Sequence, residues 1–247
     1  MTSLIEFENY TYRYPDGTTA LSGFTMNVEQ RERVGIVGPN GAGKTTALLA
    51  LSGLIFGEGT IRIDGETLQK KNGRQLRSRV GLVFQNPDDQ LFMPTVYEDV
   101  VFGPKNLGWN AAQVDKAAKE ALDAVELPGY EQKSSHHLSS GEKKRVAIAT
   151  VLAMQPDILV LDEPTTNLDP HARRRLMQLL ASLEISTIIA GHDLELILEL
   201  CTRAVIINNG AVIKTGEPKE LFQDKLLMEE NYLEVPYSLR KVREDVY

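Results

Sequence analysis

The sequence contains one cysteine, one tryptophan and no long run of apolar residues. Because a lone cysteine, Cys201, cannot form a disulfide within the chain, a reducing compartment such as the cytosol is expected. A membrane-spanning helix needs about 20 apolar residues, and the longest candidate, residues 47–57, is shorter and is interrupted by Gly53. The N-terminus carries Glu6 and Glu8 and lacks the basic start of a signal peptide. Any action at a membrane is therefore expected to depend on another chain.

An excess of positive charge is also absent. The chain has 27 Lys and Arg against 34 Asp and Glu, which gives a net charge of −7. Such a chain offers no broadly basic face to phosphate backbones, so nucleic acid is not expected as a partner. The hydrophobic fraction of 42% is typical of a globular protein, and 247 residues suffice for one large domain or a core with a smaller subdomain.

Strand-like and helix-like apolar periods alternate along the chain, which predicts an α/β core with a mostly parallel sheet. The predicted buried strands are residues 34–37, 81–84, 158–161, 186–190 and 204–207, and residues 42–53 are predicted to be a helix. Stricter alternation at the beginning of the chain predicts an antiparallel β layer, formed by residues 4–12, 24–28 and 60–63.

The segment of residues 86–155 has a different texture. Helical periods at residues 111–125 and 141–154 predict a helical subdomain that is inserted between two core strands. The main domain is expected to span residues 1–223. Residues 224–247 are expected to form a C-terminal extension, whose charged and weakly patterned sequence predicts no particular structure.

Residues 38–45, G-P-N-G-A-G-K-T, match the phosphate-binding pattern G-x-x-x-x-G-K-[ST] between a predicted strand and a predicted helix. Glycines let successive N–H groups point at phosphate oxygens, and the helix N-terminus favours the anion. Lys44 adds a cation, and the Thr45 hydroxyl is a suitable Mg²⁺ ligand. The expected nucleotide-binding residues here are Gly38, Pro39, Asn40, Gly41, Ala42, Gly43, Lys44, Thr45 and Thr46. A glycine turn with a chance lysine is the alternative.

Two adjacent carboxylates, Asp162 and Glu163, end the predicted strand at residues 158–161. Asp162 is expected to hold Mg²⁺ together with Thr45. Neighbouring residues of a strand point to opposite faces, so Glu163 is free to act as a general base. The alternative is a solvated acidic turn. Together, the two motifs predict nucleotide hydrolysis; a guanine-reading N-K-x-D segment is absent, and a small-molecule kinase remains possible.

Residues 138–145, L-S-S-G-E-K-K-R, precede the carboxylate strand and resemble the signature of ABC ATPases, usually L-S-G-G-Q. Further positions follow in family order: Gln85 is placed like the Q-loop glutamine and His192 like the switch histidine. Tyr14 is placed like the aromatic residue that stacks on adenine. The D-loop would be Asn167, Leu168 and Asp169. The resemblance spans about residues 4–222.

The resemblance implies a P-loop NTPase core and ATP hydrolysis, with ATP and Mg²⁺ as cofactors. Glu163 would then be the catalytic base, His192 would contact the γ-phosphate or the attacking water, and Gln85 would join Thr45 and Asp162 at Mg²⁺. Taken alone, each position has a plainer alternative. His192 could be structural, Gln85 could be a surface glutamine, and Tyr14 could be a strand-edge aromatic.

The resemblance also implies a head-to-tail dimer with a second ATPase subunit, either the same chain or a paralogue. Each ATP would lie between the P-loop of one subunit and the signature of the other, Ser139, Ser140, Gly141 and Glu142. The signature opens a predicted helix, whose uncapped N-terminus would attract an anion.

Ser140 and Glu142 depart from the usual signature. Glu142 is expected to be mildly unfavourable beside phosphate unless Lys143, Lys144 or Arg145 offsets its charge. These three cations are otherwise expected to form a solvated helix face.

A narrower likeness follows Gln85. Residues 85–92, Q-N-P-D-D-Q-L-F, together with residues 94–104 and 191–196, look like the energy-coupling-factor branch, most like the ATPase of cobalt or nickel importers. This implies a peripheral subunit at the cytoplasmic face of the membrane, with transmembrane coupling and substrate-binding subunits as partners. An importer of a vitamin or other micronutrient, or a non-transport ABC ATPase, is the alternative.

Residues 86–104 would form part of a groove for a helix of the membrane partner. The apolar contacts there would be Leu91, Phe92, Met93 and Trp109, which could equally form the core of the helical subdomain. The pair His136 and His137 lacks a ligand set for a metal.

Overall fold

The computed structural model describes residues 3–240, and the last residues of the expected C-terminal extension, 241–247, lie outside this range. The strands are β1 (Ile5–Arg13), β2 (Thr19–Val28), β3 (Arg33–Val37), β4 (Glu58–Ile63), β5 (Glu66–Thr67), β6 (Val80–Val83), β7 (Ile158–Asp162), β8 (Ser186–Gly191), β9 (Arg203–Asn208) and β10 (Ala211–Gly216). The helices are α1 (Lys44–Leu51), α2 (Gly73–Arg77), α3 (Val96–Asn106), α4 (Ala111–Ala124), α5 (Ser140–Leu152), α6 (Pro170–Ser182), α7 (Leu194–Leu200), α8 (Pro218–Gln223) and α9 (Lys225–Glu230).

A six-stranded sheet forms the centre of the fold, in the order β10-β9-β3-β8-β7-β6. The strands from β9 to β6 run parallel, and only the edge strand β10 is antiparallel to its neighbour. The five parallel strands are the five that the sequence predicts. Because parallel strands end at the same edge of a sheet, the segments after β3, β6, β7 and β8 converge there.

A second sheet, in the order β2-β1-β4-β5, is antiparallel and comes from the beginning of the chain, as predicted. Helix α1 lies between the two sheets. Its Leu48 and Leu51 share one buried cluster with Phe24 of the antiparallel sheet and with Ile36 and Val160 of the parallel sheet. Burial on both sides explains why α1 is apolar nearly all round.

The predicted helical insertion is present: α3, α4 and α5 lie between β6 and β7 in sequence. Each of the three begins with a capping box, built on Thr95, Asn110 and Ser139 respectively. Helix α5 also packs under the parallel sheet, since Ile148 belongs to the same buried cluster as Leu161. The insertion is therefore joined to the core through α5.

The expected extension includes α9 and a short turn at Tyr237–Leu239. Ser238 contacts α7, because its backbone N–H and its hydroxyl both donate to the carboxylate of Glu195. Within residues 3–240, no helix has the length and apolar character to cross a bilayer. The division at residue 223 remains a prediction.

Candidate nucleotide site

The loop of residues 38–43 joins β3 to α1 in the tight turn that its glycines allow. Gly41 and Gly43 have φ angles of 77° and 103°, a region that favours glycine. A Cβ atom at Gly43 would lie 2.4 Å from the carbonyl oxygen of Ala20. The cradle thus requires glycine at this position for both conformation and space.

Lys44, the first residue of α1, is buried with its ammonium directed back to the loop. Nζ donates to the carbonyl oxygens of Gly38 at 2.8 Å and Pro39 at 2.9 Å. Burial lowers the pKa of Lys44, while the carboxylates of Glu163 and Asp162 oppose that shift. The chain therefore holds a cation at the mouth of the loop.

Thr45 and Asp162 come together as the sequence predicts. The Thr45 hydroxyl donates to Oδ2 of Asp162 at 2.8 Å. The other carboxylate oxygen, Oδ1, is buried and has no hydrogen-bond partner among the described residues. Burial raises the pKa of Asp162, and the bond from Thr45 opposes this. A hydroxyl beside a carboxylate with an unused oxygen fits Mg²⁺, which prefers oxygen ligands.

Glu163 follows β7 and connects three segments. Its Oε2 accepts from Nε2 of Gln85 at 3.0 Å and from Oγ1 of Thr166 at 3.1 Å. Its Oε1 lies 3.1 Å from Nε2 of His192. The backbone of Glu163 is left-handed, with φ 43°, a conformation that costs about 1–3 kcal/mol in a non-glycine residue. The fold therefore brings Glu163, Gln85 and His192 into contact.

His192 follows β8 and also lies near the cradle, with Nε2 3.4 Å from Nζ of Lys44. Burial lowers the pKa of His192, as does the Lys44 cation, whereas Glu163 opposes them. Burial and the Lys44 cation thus both favour the neutral imidazole. Nε2 cannot donate to Glu163 and accept from Lys44 at once, so the tautomer selects one of these two contacts.

Asp193, which the sequence reading did not single out, anchors the His192 loop. Arg173 of α6 donates twice to its carboxylate, at 2.7 and 2.8 Å, and the Thr165 hydroxyl donates at 2.9 Å. Burial alone would raise the pKa of Asp193, but the bonds from Arg173, Leu196 and Thr165 hold it below its ordinary value. An Asp directly before an apolar helix was the available sequence signal for this cap.

Tyr14 lies beside the start of α1. Its hydroxyl is 3.1 Å from Oγ1 of Thr46, and its ring meets that of Tyr12 edge to face, with centroids 5.1 Å apart. The position next to an expected phosphate-binding residue agrees with adenine stacking. The ring pair agrees equally with the strand-edge alternative, so the stacking role remains a prediction.

The signature lies at the beginning of α5, and this helix end is capped, so the expectation of an uncapped terminus was wrong. Ser139 donates its N–H and its hydroxyl to Oε2 of Glu142, at 2.9 and 2.7 Å. Tyr130 donates to Oε1 at 2.6 Å. Because of the bonds from Tyr130 and Ser139, the pKa of Glu142 falls to about 2.

Of the three cations after the signature, Arg145 interacts electrostatically with Glu142, while the bonds of all three go to other groups. Lys143 pairs with Asp88 at 2.7 Å. Lys144 and Arg145 are buried, and both donate to backbone carbonyl oxygens. The expected solvated face is therefore wrong, because the helix turns two of its cations into the protein. Burial lowers the pKa of Lys144 to about 8.

Gly141 of the signature lies close in space to the start of α6, which follows the D-loop of the same subunit. A Cβ atom at Gly141 would lie 2.8 Å from Cβ of Ala172 in α6. Asp169 caps α6 by accepting from the N–H groups of His171 and Ala172 at 2.8 and 2.9 Å. Leu168 is half-buried against the core, and Asn167 has a left-handed backbone with φ 63°.

The segment after Gln85 is fixed to α5 through Gln90. The side chain of Gln90 donates to the carbonyl oxygen of Ala147 at 2.9 Å and to Oγ1 of Thr150 at 2.8 Å. Leu91 is in the buried core, and Trp109 packs against it. Phe92 is 59% exposed, and its ring meets that of Phe102 edge to face. Leu91 and Trp109 therefore fit the alternative of a subdomain core, whereas the exposed Phe92 fits the alternative of a contact with a partner.

Phe92 and Phe102 border an open groove of about 620 Å³. Met93, the residue after Phe92, is half-buried. The apolar residues that line the groove are Leu54, Val80, Leu82, Phe84, Phe92, Phe102, Leu107, Val151 and Met154. The groove is thus formed between α3, α5 and the β6 edge of the parallel sheet.

Comparison with known proteins places this geometry in a family. The sequence profile of the ABC transporter family matches residues 21–166, more than half of the 247-residue chain. The energy-coupling factor transporter ATP-binding protein EcfA of Methanothermobacter thermautotrophicus is 47% identical, over 94% of this chain and 77% of that protein.

Two solved structures are similar throughout. CbiO1 of Clostridium perfringens, described as part of the ABC transporter complex CbiONQ, has a TM-score of 0.82 and 38% identity, over 93% of this chain and 94% of that one. A dimeric ATP-binding cassette, described as a post-hydrolysis state bound to ADP and phosphate, has a TM-score of 0.77 and 28% identity, over 87% and 98% of the two chains. This chain therefore belongs to the ABC transporter family and is one of its ATP-hydrolysing subunits.

Proposed function

We propose that this chain hydrolyses ATP in a head-to-tail dimer and thereby energises a membrane importer from the cytoplasmic face. The observation that carries the proposal is the meeting of Lys44, Asp162, Glu163 and His192 at one edge of the parallel sheet. These side chains supply a phosphate-binding cation, a metal-binding carboxylate and a base close to one another.

Residues 38–46, which are the loop and the first turn of α1, bind the phosphates through N–H groups and the Lys44 ammonium. Thr45, Asp162 and Gln85 would hold Mg²⁺, which would supply positive charge to neutralise the phosphates. Asp162 supports this role through its unused buried oxygen, Oδ1. Tyr14 stacks on the adenine ring.

Glu163 orients the attacking water and accepts its proton. The water oxygen forms a bond to the γ-phosphorus while the bond to the β–γ bridging oxygen breaks, so that ADP leaves and phosphate is released. The side chains of Gln85 and Thr166 hold the Glu163 carboxylate in place through Oε2. His192 contacts the γ-phosphate or the water and is held by the anchored Asp193.

The second half of each ATP site comes from the partner subunit, either another copy or a paralogue. Ser139, Ser140, Gly141 and Glu142 face the partner's γ-phosphate, next to the D-loop residues Asn167, Leu168 and Asp169. The similar solved structure, which is described as a dimer bound to ADP and phosphate, supports the pairing of two subunits. ATP then holds the subunits together, and hydrolysis weakens that contact because it removes the γ-phosphate from the interface.

The apolar groove takes a helix of a transmembrane coupling subunit. Two exposed aromatic side chains, Phe92 and Phe102, provide the anchors for an amphipathic helix. The groove is tied to α5 through Gln90, and Phe84 directly before Gln85 also lines it, so its occupant senses the nucleotide site. The similar CbiO1 is described as part of an ABC transporter complex, which supports a partner of this kind.

The transported substrate is proposed to be cobalt or nickel, supplied by a separate substrate-binding subunit. The resemblance of residues 85–92 to the ATPase of cobalt or nickel importers favours this reading. An importer of a vitamin or other micronutrient is the second candidate. The similar EcfA is described as the ATP-binding protein of an energy-coupling factor transporter, and that description names no substrate.

The proposal is tested by co-expression with neighbouring membrane proteins, purification from membranes and reconstitution in vesicles. ATP-dependent uptake of Co²⁺ or Ni²⁺ is expected, with no uptake when Glu163→Gln replaces the parent. Uptake of a vitamin but of neither ion would replace the substrate assignment. A chain that hydrolyses ATP but associates with no membrane protein would contradict the importer role.

A further inference from the structure

Lys144 is a buried cation that hydrolysis, as described above, does not use. It lies in the second turn of α5 and is 3% exposed. Its ammonium donates to the backbone carbonyl oxygens of Gln85 and Glu163, the latter at 3.3 Å. Burying a charge costs free energy unless hydrogen bonds compensate. These two hydrogen bonds therefore stabilise the buried ammonium of Lys144, and they connect the segments that follow β6 and β7.

The same two segments are joined a second time through their side chains, where Gln85 Nε2 donates to Glu163 Oε2 at 3.0 Å. Lys144 bonds to the carbonyl oxygens of these residues and not to the Glu163 carboxylate. It thus holds the two segments through their backbone, and its charge also interacts with the carboxylates of Asp162 and Glu163. This makes Lys144 a positioning residue.

Helix α5 begins at the other functional segment of the chain. Ser139 caps α5, and Lys144 follows five residues later, about 7.5 Å along the axis. A helix of 13 residues that packs against the sheet moves as a unit. A displacement of the signature therefore carries Lys144 with it, and with Lys144 the backbone of Gln85 and Glu163.

We infer that Lys144 transmits the position of the signature to Gln85 and Glu163 of the same chain. The inference rests on the proposed head-to-tail dimer, in which the signature contacts the partner's nucleotide. Closure on one ATP then aligns the catalytic carboxylate for the other, so the two sites hydrolyse cooperatively. The Lys144 side chain provides this link because it connects α5 to the segments that follow β6 and β7.

The test compares Lys144→Met and Lys144→Gln with the control Lys143→Met, whose lysine pairs with Asp88. ATP hydrolysis is measured against ATP concentration, and nucleotide affinity by fluorescence titration. For Lys144→Met we expect kcat to fall on the order of 10²-fold with nucleotide affinity unchanged, and the Hill coefficient to drop to about 1. Lys144→Gln, which keeps a donor, recovers part of both. Lys143→Met behaves like the parent.

Parent kcat and cooperativity in Lys144→Met would overturn the inference, and so would a parent enzyme with a Hill coefficient of about 1. If thermal denaturation shows that Lys144→Met does not fold, the Gln variant decides, and parent kinetics there overturn the inference equally. The Glu163→Gln variant distinguishes a failure of the proposed dimer from a failure of the link through Lys144. No ATP-driven dimer in that variant refutes the proposed pairing, whereas a dimer with unaltered Lys144→Met kinetics refutes only the link.

Discussion

The nucleotide cradle and the signature end of the same chain are built in opposite ways. The cradle draws Lys44, Asp162, Glu163 and His192 from the ends of three neighbouring parallel strands and the segments after them. His192 contacts both Lys44 and Glu163, and Asp162 accepts from Thr45. The signature draws on one helix start, and its polar groups bond to Glu142. The sheet thus assembles the cradle. The polar groups of the signature, in contrast, form these hydrogen bonds without any contribution from the side chains of the cradle.

The cradle and the signature also carry opposite charges. The cradle presents a buried ammonium, and the signature presents Glu142, which is ionised because Tyr130 and Ser139 lower its pKa to about 2. A phosphate that reaches the signature competes with Glu142 for the Ser139 hydroxyl. We therefore expect ATP to bind the cradle first and the signature of a partner second, with lower intrinsic affinity.

Lys44→Ala tests the cradle side of this comparison and has the largest expected effect. It removes the ammonium that bonds to the carbonyl groups of the loop, and ATP affinity should fall by about 2–5 kcal/mol. Fluorescence titration with a labelled ATP analogue measures the loss. Lys143→Ala is the matched control and should bind like the parent. Unchanged affinity in Lys44→Ala would refute the cradle assignment.

Phe92→Glu tests whether the groove works apart from both nucleotide segments. The side chain is exposed, so the change should spare folding and basal ATP hydrolysis while it abolishes co-purification with the membrane subunits. Ile213→Glu, which also replaces an exposed apolar residue, is the control and should leave assembly intact. Normal assembly of Phe92→Glu would mean that a membrane partner docks elsewhere. Leu91 is unsuitable for this test because it is buried.

Tyr130→Phe sharpens the signature side and has the smallest expected effect. It removes one hydrogen bond to Glu142 and should lower the free energy of unfolding by about 0.5–1.5 kcal/mol at neutral pH. A depressed carboxylate pKa stabilises the fold above its ordinary value of 4.5 and loses that contribution as pH falls towards about 2. The difference between the variant and the parent should therefore shrink below pH 4.5 in urea denaturation. An equal difference at both ends of this range would contradict the role of Tyr130.

Much of the fold and the site was predictable because both depend on local pattern. Short apolar runs predict the five parallel strands, and their carboxyl ends carry the glycine loop, Gln85, Asp162 and His192. The contacts that escaped prediction join residues that are distant in sequence. Tyr130 reaches Glu142, and Arg173 reaches Asp193, through packing that no periodicity encodes.

The burial of Lys144 escaped prediction for a related reason. Three consecutive cations on a helix look solvated until the neighbours of that helix are known. Here the carbonyl groups of Gln85 and Glu163 lie on the inner side and accept from Lys144. Helix α3 was missed as well, since its Gly103 and Pro104 weaken the helical pattern.

The most direct test of the account is the size of Glu163→Gln in solution with ATP, with ADP and without nucleotide. We expect a dimer only with ATP, because the variant binds ATP in the cradle but does not hydrolyse it. Adding Ser139→Ala should weaken that dimer without changing the affinity of the single chain for ATP. A Glu163→Gln chain that binds ATP tightly and stays monomeric at every concentration would contradict the claim that two chains complete each nucleotide site.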